Sequence, residues 1–203
     1  MLENLILSNK VIPYSYKELK VAGFEEIICK YLSGISSSDY PSFVHMLGIP
    51  AAGKSTFYKN NRDKFKDYIF VSFDAIMEAH PQYQKDVKEL GSVEAFKKWE
   101  IPARVAGYEL LRRAVAAKKN VFFDHSGAPQ CHQDLLKNIK KQGYKTEMYY
   151  IYCSQELAVQ RAQARELETK RHTPVNLITE RIESIEKSIE TYKTIVDKFV
   201  SIK

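Results

Sequence analysis

Apolar residues along this chain gather in short runs, separated by longer stretches with helical spacing. The runs are Phe43–Leu47, Tyr68–Phe73, Val121–Phe123 and Met148–Cys153. They are rich in β-branched and aromatic residues, as strands covered on both faces are. Between them, helical patterns run from Lys54 to about Lys64, from Ser92 to Ala117, and from Asp134 to Lys141 with a stop near Gly143. Ser154, with Leu157 just beyond it, reads as the N-cap of another helix. This alternation predicts an α/β fold, a largely parallel sheet covered by helices on both faces. Four strands are legible and a fifth is not.

The two ends follow other patterns. Leu19, Phe24, Ile27, Ile28, Tyr31 and Leu32 have roughly helical spacing, and the turn-forming Gly34–Asp39 follows. Residues 1–40 are therefore expected to be a helical N-terminal extension of a domain spanning 41–203. Near the C-terminus, Ile178, Ile182, Ile185, Ile189, Tyr192, Val196 and Phe199 recur three and four apart. They predict one long amphipathic helix, packed on its own domain rather than on a coiled-coil partner.

Composition narrows the class. With 203 residues, 44% hydrophobic and 28% charged, the chain can fill a core, which excludes a disordered or fibrous protein. A net charge of +6 suits an anionic ligand without identifying one. Cys29, Cys131 and Cys153 have neither disulfide-framework nor zinc-site spacing, so they are expected to be free thiols in a reducing compartment. No apolar run is long enough to span a membrane, and no secretory signal pattern opens the chain. A cytoplasmic location follows as an expectation, with export by a route needing no such signal left open.

The sharpest chemical signal is residues 48–56, GIPAAGKST. Gly48, Ile49, Pro50, Ala51, Ala52, Gly53, Lys54, Ser55 and Thr56 complete a phosphate-binding loop between a predicted strand and a predicted helix. Backbone N–H groups and the helix N-terminus would cradle the phosphates of ATP. Lys54 would reach the β- and γ-phosphates, and the Ser55 hydroxyl would ligate Mg²⁺. Asp74, just past the second strand, is a candidate to take a proton from a substrate hydroxyl; the alternative is a helix cap. Asp124 and Ser126, at the end of the third strand, are candidates for Mg²⁺ and substrate. Arg161, Arg165, Arg171, His172 and Arg181 follow the fourth strand, and Thr169–Thr173 ahead of Pro174 is expected to form a mobile lid bringing arginines to the transferring phosphoryl group. His125 reads as a turn residue, and Phe96 and Trp99 as core. Lys137, Lys140, Lys141 and Lys145 read as a solvated face. No His and Cys cluster for a metal is visible.

On these motifs the chain resembles the zeta-toxin-type P-loop kinases, and the related 5′-hydroxyl polynucleotide kinases, over about residues 43–180. DAIMEAHPQY places Asp74, His80, Pro81 and Tyr83 at the family's positions, FFDHSG places Asp124 and Ser126, and RAQARELETKRHTP places Arg171. Met77 stands where these families usually carry an arginine, and His125 where they carry glycine. The resemblance implies ATP and Mg²⁺ as cofactors, Asp74 as general base, His80 beside the substrate, and Arg171 with Arg161 or Arg165 on the phosphate. It also implies an acceptor carrying a hydroxyl, such as a sugar nucleotide, and allows a protein partner such as an antitoxin. The other hypotheses are a polynucleotide kinase, for which no aromatic-rich basic groove is visible, and an ATP-dependent binding protein in which Asp74 is dispensable.

Overall fold

A computed structural model describes Tyr16, Leu19 and residues 21–128 and 130–202. The rest of the expected N-terminal extension lies outside the described residues. In chain order the elements are α1 (Phe24–Leu32), β1 (Ser42–Leu47), α2 (Lys54–Asn60), β2 (Ile69–Val71), α3 (Phe73–Glu78), α4 (Pro81–Leu90), α5 (Ser92–Ala116), β3 (Val121–Phe123), α6 (Cys131–Lys141), β4 (Lys145–Ile151), α7 (Gln155–Thr169), α8 (Val175–Ile195) and β5 (Lys198–Ile202). The strands form one sheet in the order β2-β3-β1-β4-β5, and every pairing is parallel.

Adjacent residues of β3 show how both faces are covered. Phe122 turns to one face, where the rings of Tyr58 and Phe65 each lie 4.8 Å away. Phe123 turns to the other, 5.6 Å from the His132 ring of α6 and 6.3 Å from Tyr108 of α5. All three residues of β3 are buried. No helix of the described residues is long and apolar enough to cross a membrane.

Three boundaries differ from the expected ones. β2 stops at Val71 because the Ser72 hydroxyl accepts a hydrogen bond from Ala75 N–H and starts α3, drawing Phe73 into a helix. β4 begins at Lys145, three residues early, because its polar start alternates with buried residues. The C-terminal helix ends at Ile195, so Val196 and Phe199 are not on it. Asp197 turns the chain, its carboxylate accepting from Thr146 N–H (2.8 Å) and Thr146 Oγ1–H (2.9 Å). The next residues form the fifth strand, with Phe199 opposite Met148 and Ile202 opposite Ile151.

α5 is long and carries Pro102, and it supports the cleft side of the sheet. Gly107 lets α3 lie against it: a Cβ there would sit 2.3 Å from Phe73 Cδ1. α1 joins the same core through Phe24, whose ring lies 4.7 Å from His80 and 6.0 Å from Trp99. Trp99 is core, as expected, and donates from Nε1 to Asp86 (2.6 Å). The lysines of α6 pair on the surface, Lys140 with Asp197 at 2.6 Å and Lys137 with Asp134 at 3.7 Å.

Candidate active site

The loop between β1 and α2 is a strand-to-helix turn beyond the carboxyl ends of the strands, beside β3 on one side and β4 on the other. Gly48 has φ 148°, its N–H donates to Ser126 O (3.1 Å), and a Cβ at this position would meet Ile151 O at 2.7 Å. Only glycine lets β1 and β4 close on the loop here. Ala51, within the loop, holds φ 61°, a conformation non-glycine residues rarely adopt. Lys54 donates from Nζ to Gly48 O (2.9 Å) and Ile49 O (2.8 Å), so its ammonium lies across the loop. Burial lowers its pKa, although Asp124 and Asp74 act in the opposite direction.

The Ser55 hydroxyl donates to Asp124 Oδ2 at 2.8 Å. Burial raises the Asp124 carboxyl, and Lys54 and Ser55 pull it back. The two oxygens form a hard donor set at the foot of the loop, the chemistry Mg²⁺ takes. The fold thus brings together two residues that lie sixty-nine positions apart in the chain. Ser126 supplies its carbonyl to Gly48, and its hydroxyl accepts from Ala128 N–H at 3.4 Å.

Asp74 lies in the first turn of α3, half-exposed, and lines the same cleft as the phosphate loop. Ser72 does the capping, so the cap alternative for Asp74 is removed. Asp74 is ion-paired with Arg171, whose Nε also lies 3.2 Å from Glu78 Oε1. Burial disfavours the Arg171 charge, but Asp74 and Glu78 outweigh it and the pKa rises. Burial pushes the Glu78 carboxyl up. Sequence reasoning does not single out Glu78; the available signal is its four-residue step from Asp74, which puts both on one helix face.

The expected lid follows α7 and is anchored at three points: Arg171 to Asp74 and Glu78, His172 Nδ1 to Glu166 (2.9 Å), and Thr173 to Arg165. Arg165 reaches into the cleft, where burial and then Arg171 lower its pKa. Arg161 lines the cleft too, more exposed, and donates to Ala52 O of the phosphate loop at 3.2 Å. Thr56 is exposed at the mouth. Phe96 packs against the core, as expected, and also lines the cleft, its ring 5.7 Å from His172.

His80 does not line the cleft. It caps α4, with Nδ1 accepting from Gln82 N–H (3.2 Å) and Nε2–H donating to Ala22 O (2.8 Å). Both ring nitrogens are spent holding α1 to α4, which leaves none for the substrate contact the resemblance implied. Tyr83 is likewise buried.

The expectation that histidines do not cluster is corrected by His45, His125 and His132, whose ligand atoms lie within 4.8 Å of one another. Residues from β1, the β3 exit and α6 meet only in the fold. A carbonyl can only accept, so His45 Nδ1–H donates to Met46 O (2.5 Å). His45 Nε2 then accepts from His132 Nδ1–H (2.9 Å), and His132 Nε2 from Tyr108 O–H (2.9 Å). His125 Nδ1 accepts from Gly127 N–H (3.1 Å), and its ring stacks on His132 at 4.1 Å. Burial pushes His45 down to about 4 and holds His125 and His132 well below the usual range. The relay uses the lone pairs of His45 and His132, so this arrangement is a neutral hydrogen-bonded core rather than a metal centre.

The phosphate loop, Asp74, Asp124, Arg161, Arg165 and Arg171 line one cleft of about 570 Å³. Lys54, Arg171 and Arg165, whose buried Nε lacks a hydrogen-bond partner among the described residues, line the cleft with positive charge and fit a triphosphate. Ser55 and Asp124 fit its metal.

The sequence profile described as "Zeta toxin" matches residues 28–203. No curated protein matches the chain. Among solved structures, one from the PezAT chromosomal toxin-antitoxin system of Streptococcus pneumoniae is 16% identical, with a TM-score of 0.67, covering 89% of this chain and 76% of that one. A putative kinase from Chloroflexus aurantiacus is 15% identical, with a TM-score of 0.55, covering 80% and 84%. A chain of the AvrRxo1-ORF1:-ORF2 complex is 13% identical, with a TM-score of 0.65, covering 89% of this chain and 62% of that one. At these identities the likenesses establish the fold.

Proposed function

The chain belongs to the zeta toxin family, and from that premise we propose that it moves the γ-phosphoryl group of ATP onto a substrate hydroxyl, with Asp74 as the base. Family membership supports a nucleotide-using phosphotransferase of the kinase type. The observation that carries the finer reading is the placement of Asp74 and Arg171 as an ion pair in the cleft that the phosphate loop lines.

In this reading the loop amides and Lys54 hold the β- and γ-phosphates. Ser55 and Asp124 would hold Mg²⁺, which would neutralise phosphate charge. The Asp74 carboxylate takes the proton of the acceptor hydroxyl, and the acceptor oxygen forms a bond to the γ-phosphorus. The bond from that phosphorus to the β–γ bridging oxygen breaks, and its electron pair leaves with ADP. Arg171 and Arg165 counter the charge on the phosphoryl oxygens as the transfer proceeds. The products are ADP and a phosphate ester, and the proton on Asp74 passes to solvent. The toxin-antitoxin source of a similar structure supports a protein antagonist as a partner.

The test is transfer of labelled γ-phosphate from ATP to a panel of hydroxyl compounds, with wild type and Asp74→Asn side by side. The kinase reading expects an acceptor-dependent ester with wild type and its loss in the variant. ATP binding with equal transfer by both proteins would remove Asp74 from the reaction.

A further inference from the structure

His125 leaves β3 between two groups that the proposed reaction uses. Asp124 precedes it in the chain, and its ring lies 5.4 Å from that of Phe73, the neighbour of Asp74. The backbone on either side is pinned. Asp124 N–H donates to Val71 O (2.8 Å), and Ser126 O accepts from Gly48 N–H (3.1 Å). The ring is clamped as well, stacked on His132 at 4.1 Å and on Phe123 at 5.4 Å. Turning it over would break the bond that its Nδ1 accepts from Gly127 N–H.

That bond fixes the tautomer. An accepting Nδ1 carries no proton, so the ring's proton stands on Nε2. Among the described residues, the buried side-chain atoms without a hydrogen-bond partner are three arginine Nε atoms. His125 Nε2 also has no partner but is not one of them, so it is open to the cleft that this half-buried ring lines. It differs in kind from the other donors there. Lys54, Arg165 and Arg171 bring positive charge and suit an anion. An imidazole N–H whose other ring nitrogen is taken brings direction without charge, and suits the lone pair of an uncharged oxygen.

We propose that His125 Nε2–H donates to an uncharged oxygen of the acceptor, and so selects molecules that carry a hydroxyl or carbonyl oxygen besides the hydroxyl that is phosphorylated. This rests on the kinase reading and adds a specificity-determining residue to it. The rigidity of the ring is what gives the contact discriminating power. An acceptor that lacks the second oxygen still expels water from Nε2–H and leaves it unpaired, and a ring held on both faces cannot turn to find another partner. Related kinases usually carry glycine at this position, so the donor belongs to this chain.

The test has a spectroscopic and a kinetic arm. In nitrogen NMR spectra of protein carrying labelled histidine, the signals that vanish in His125→Asn should report a protonated Nε2 and a bare Nδ1. Transfer of labelled γ-phosphate from ATP is then measured to diols and hydroxyketones, each against the mono-alcohol that lacks the second oxygen, and to hydroxy acids. Wild type should prefer the diol or hydroxyketone through a lower acceptor KM. His125→Asn and His125→Gln both lose the ring and, with it, some melting temperature, but they keep different hydrogen bonds. The asparagine oxygen can stand in for Nδ1 and accept from Gly127 N–H, whereas the glutamine amide nitrogen can stand in for Nε2. His125→Asn should raise the KM of the preferred acceptor roughly three- to tenfold, the worth of one hydrogen bond, with the ATP KM unchanged, and His125→Gln should recover part of that loss. A proton on Nδ1, no preference by wild type, or equal loss in the two variants overturns the donor, makes the ring packing alone, and leaves the kinase reading standing. A preference for the hydroxy acids overturns the uncharged partner. Failure of wild type to transfer to any acceptor overturns both readings.

Discussion

Asp74 and Arg171 are bound to each other, and the reaction proposed here needs both on other partners, Asp74 on the acceptor hydroxyl and Arg171 on the phosphate. Glu78 gives Arg171 a second hold on α3. Asp74→Asn keeps the shape and some hydrogen bonding but cannot take the proton. It should fold, bind ATP with Mg²⁺, and transfer phosphate roughly 10²–10⁴-fold more slowly, the usual worth of a positioned base. A rate within a few-fold of wild type, at equal melting temperature, would reassign Asp74 as structural. Arg171→Ala should lower kcat on the order of 10²-fold with a smaller effect on ATP affinity, since its charge matters most when the phosphoryl group is in flight. Equal changes in kcat and in nucleotide affinity would make it a ground-state contact. Lys54→Ala removes the ammonium lying across Gly48 O and Ile49 O. Titration with a fluorescent ATP analogue should show affinity reduced by about tenfold or more.

At the scale of elements, the cleft depends on how closely α3 lies against α5. Gly107 sets that approach, because a Cβ there would stand 2.3 Å from Phe73 Cδ1 and 3.3 Å from Ile76 Cδ1. Alanine is the better helix former, so an exposed Gly107→Ala would stabilise α5. In this packing it should instead destabilise by about 1–3 kcal/mol, the cost of overfilling a tight core. It should also move α3 and thereby impair Asp74, with activity falling further than stability explains. Denaturant unfolding and kcat measured together separate these effects; a more stable, fully active variant would show that Phe73 relaxes at no cost. Ser72 and Asp197 act at element ends in a similar way, one turning β2 into α3 and the other turning α8 into β5.

Over the whole molecule, the neutral histidine relay ties β1, α5 and α6 together through His45, His132 and Tyr108. Tyr192 of α8 joins the same region, donating to Gly127 O at 2.5 Å. A buried histidine whose folded pKa lies below its unfolded value binds fewer protons folded than unfolded. Its contribution to stability is whole above the ordinary value of 6.5 and is lost as pH falls toward about 4. For His45 alone the loss is on the order of 3 kcal/mol across that window, and His125 and His132 shift in the same direction. Urea unfolding should therefore weaken steadily from pH 7 to pH 4.5. A flat profile there would mean that the histidines take up protons within the folded chain.

Signals carried by neighbouring residues are legible before folding. GIPAAGKST sits on a strand-to-helix turn, Val121–Phe123 is a strand, and Trp99 is core, because spacing and side-chain type within one stretch are enough to specify each. The fifth strand is not legible, because steps of three and four carry the apolar stripe past Ile195 into Val196 and Phe199 without a break. Only the open edge of β4 and the Asp197 turn end the helix there. By resemblance His80 is a substrate residue; in the fold it caps α4 through Gln82 N–H, and its other nitrogen is taken by Ala22 O, fifty-eight positions away. The histidine relay joins residues from separate helices and strands. Local pattern records what a residue can do next to its neighbours. Which charges are left without a partner, and which histidines lose water, are decided when distant segments pack and exclude solvent around them.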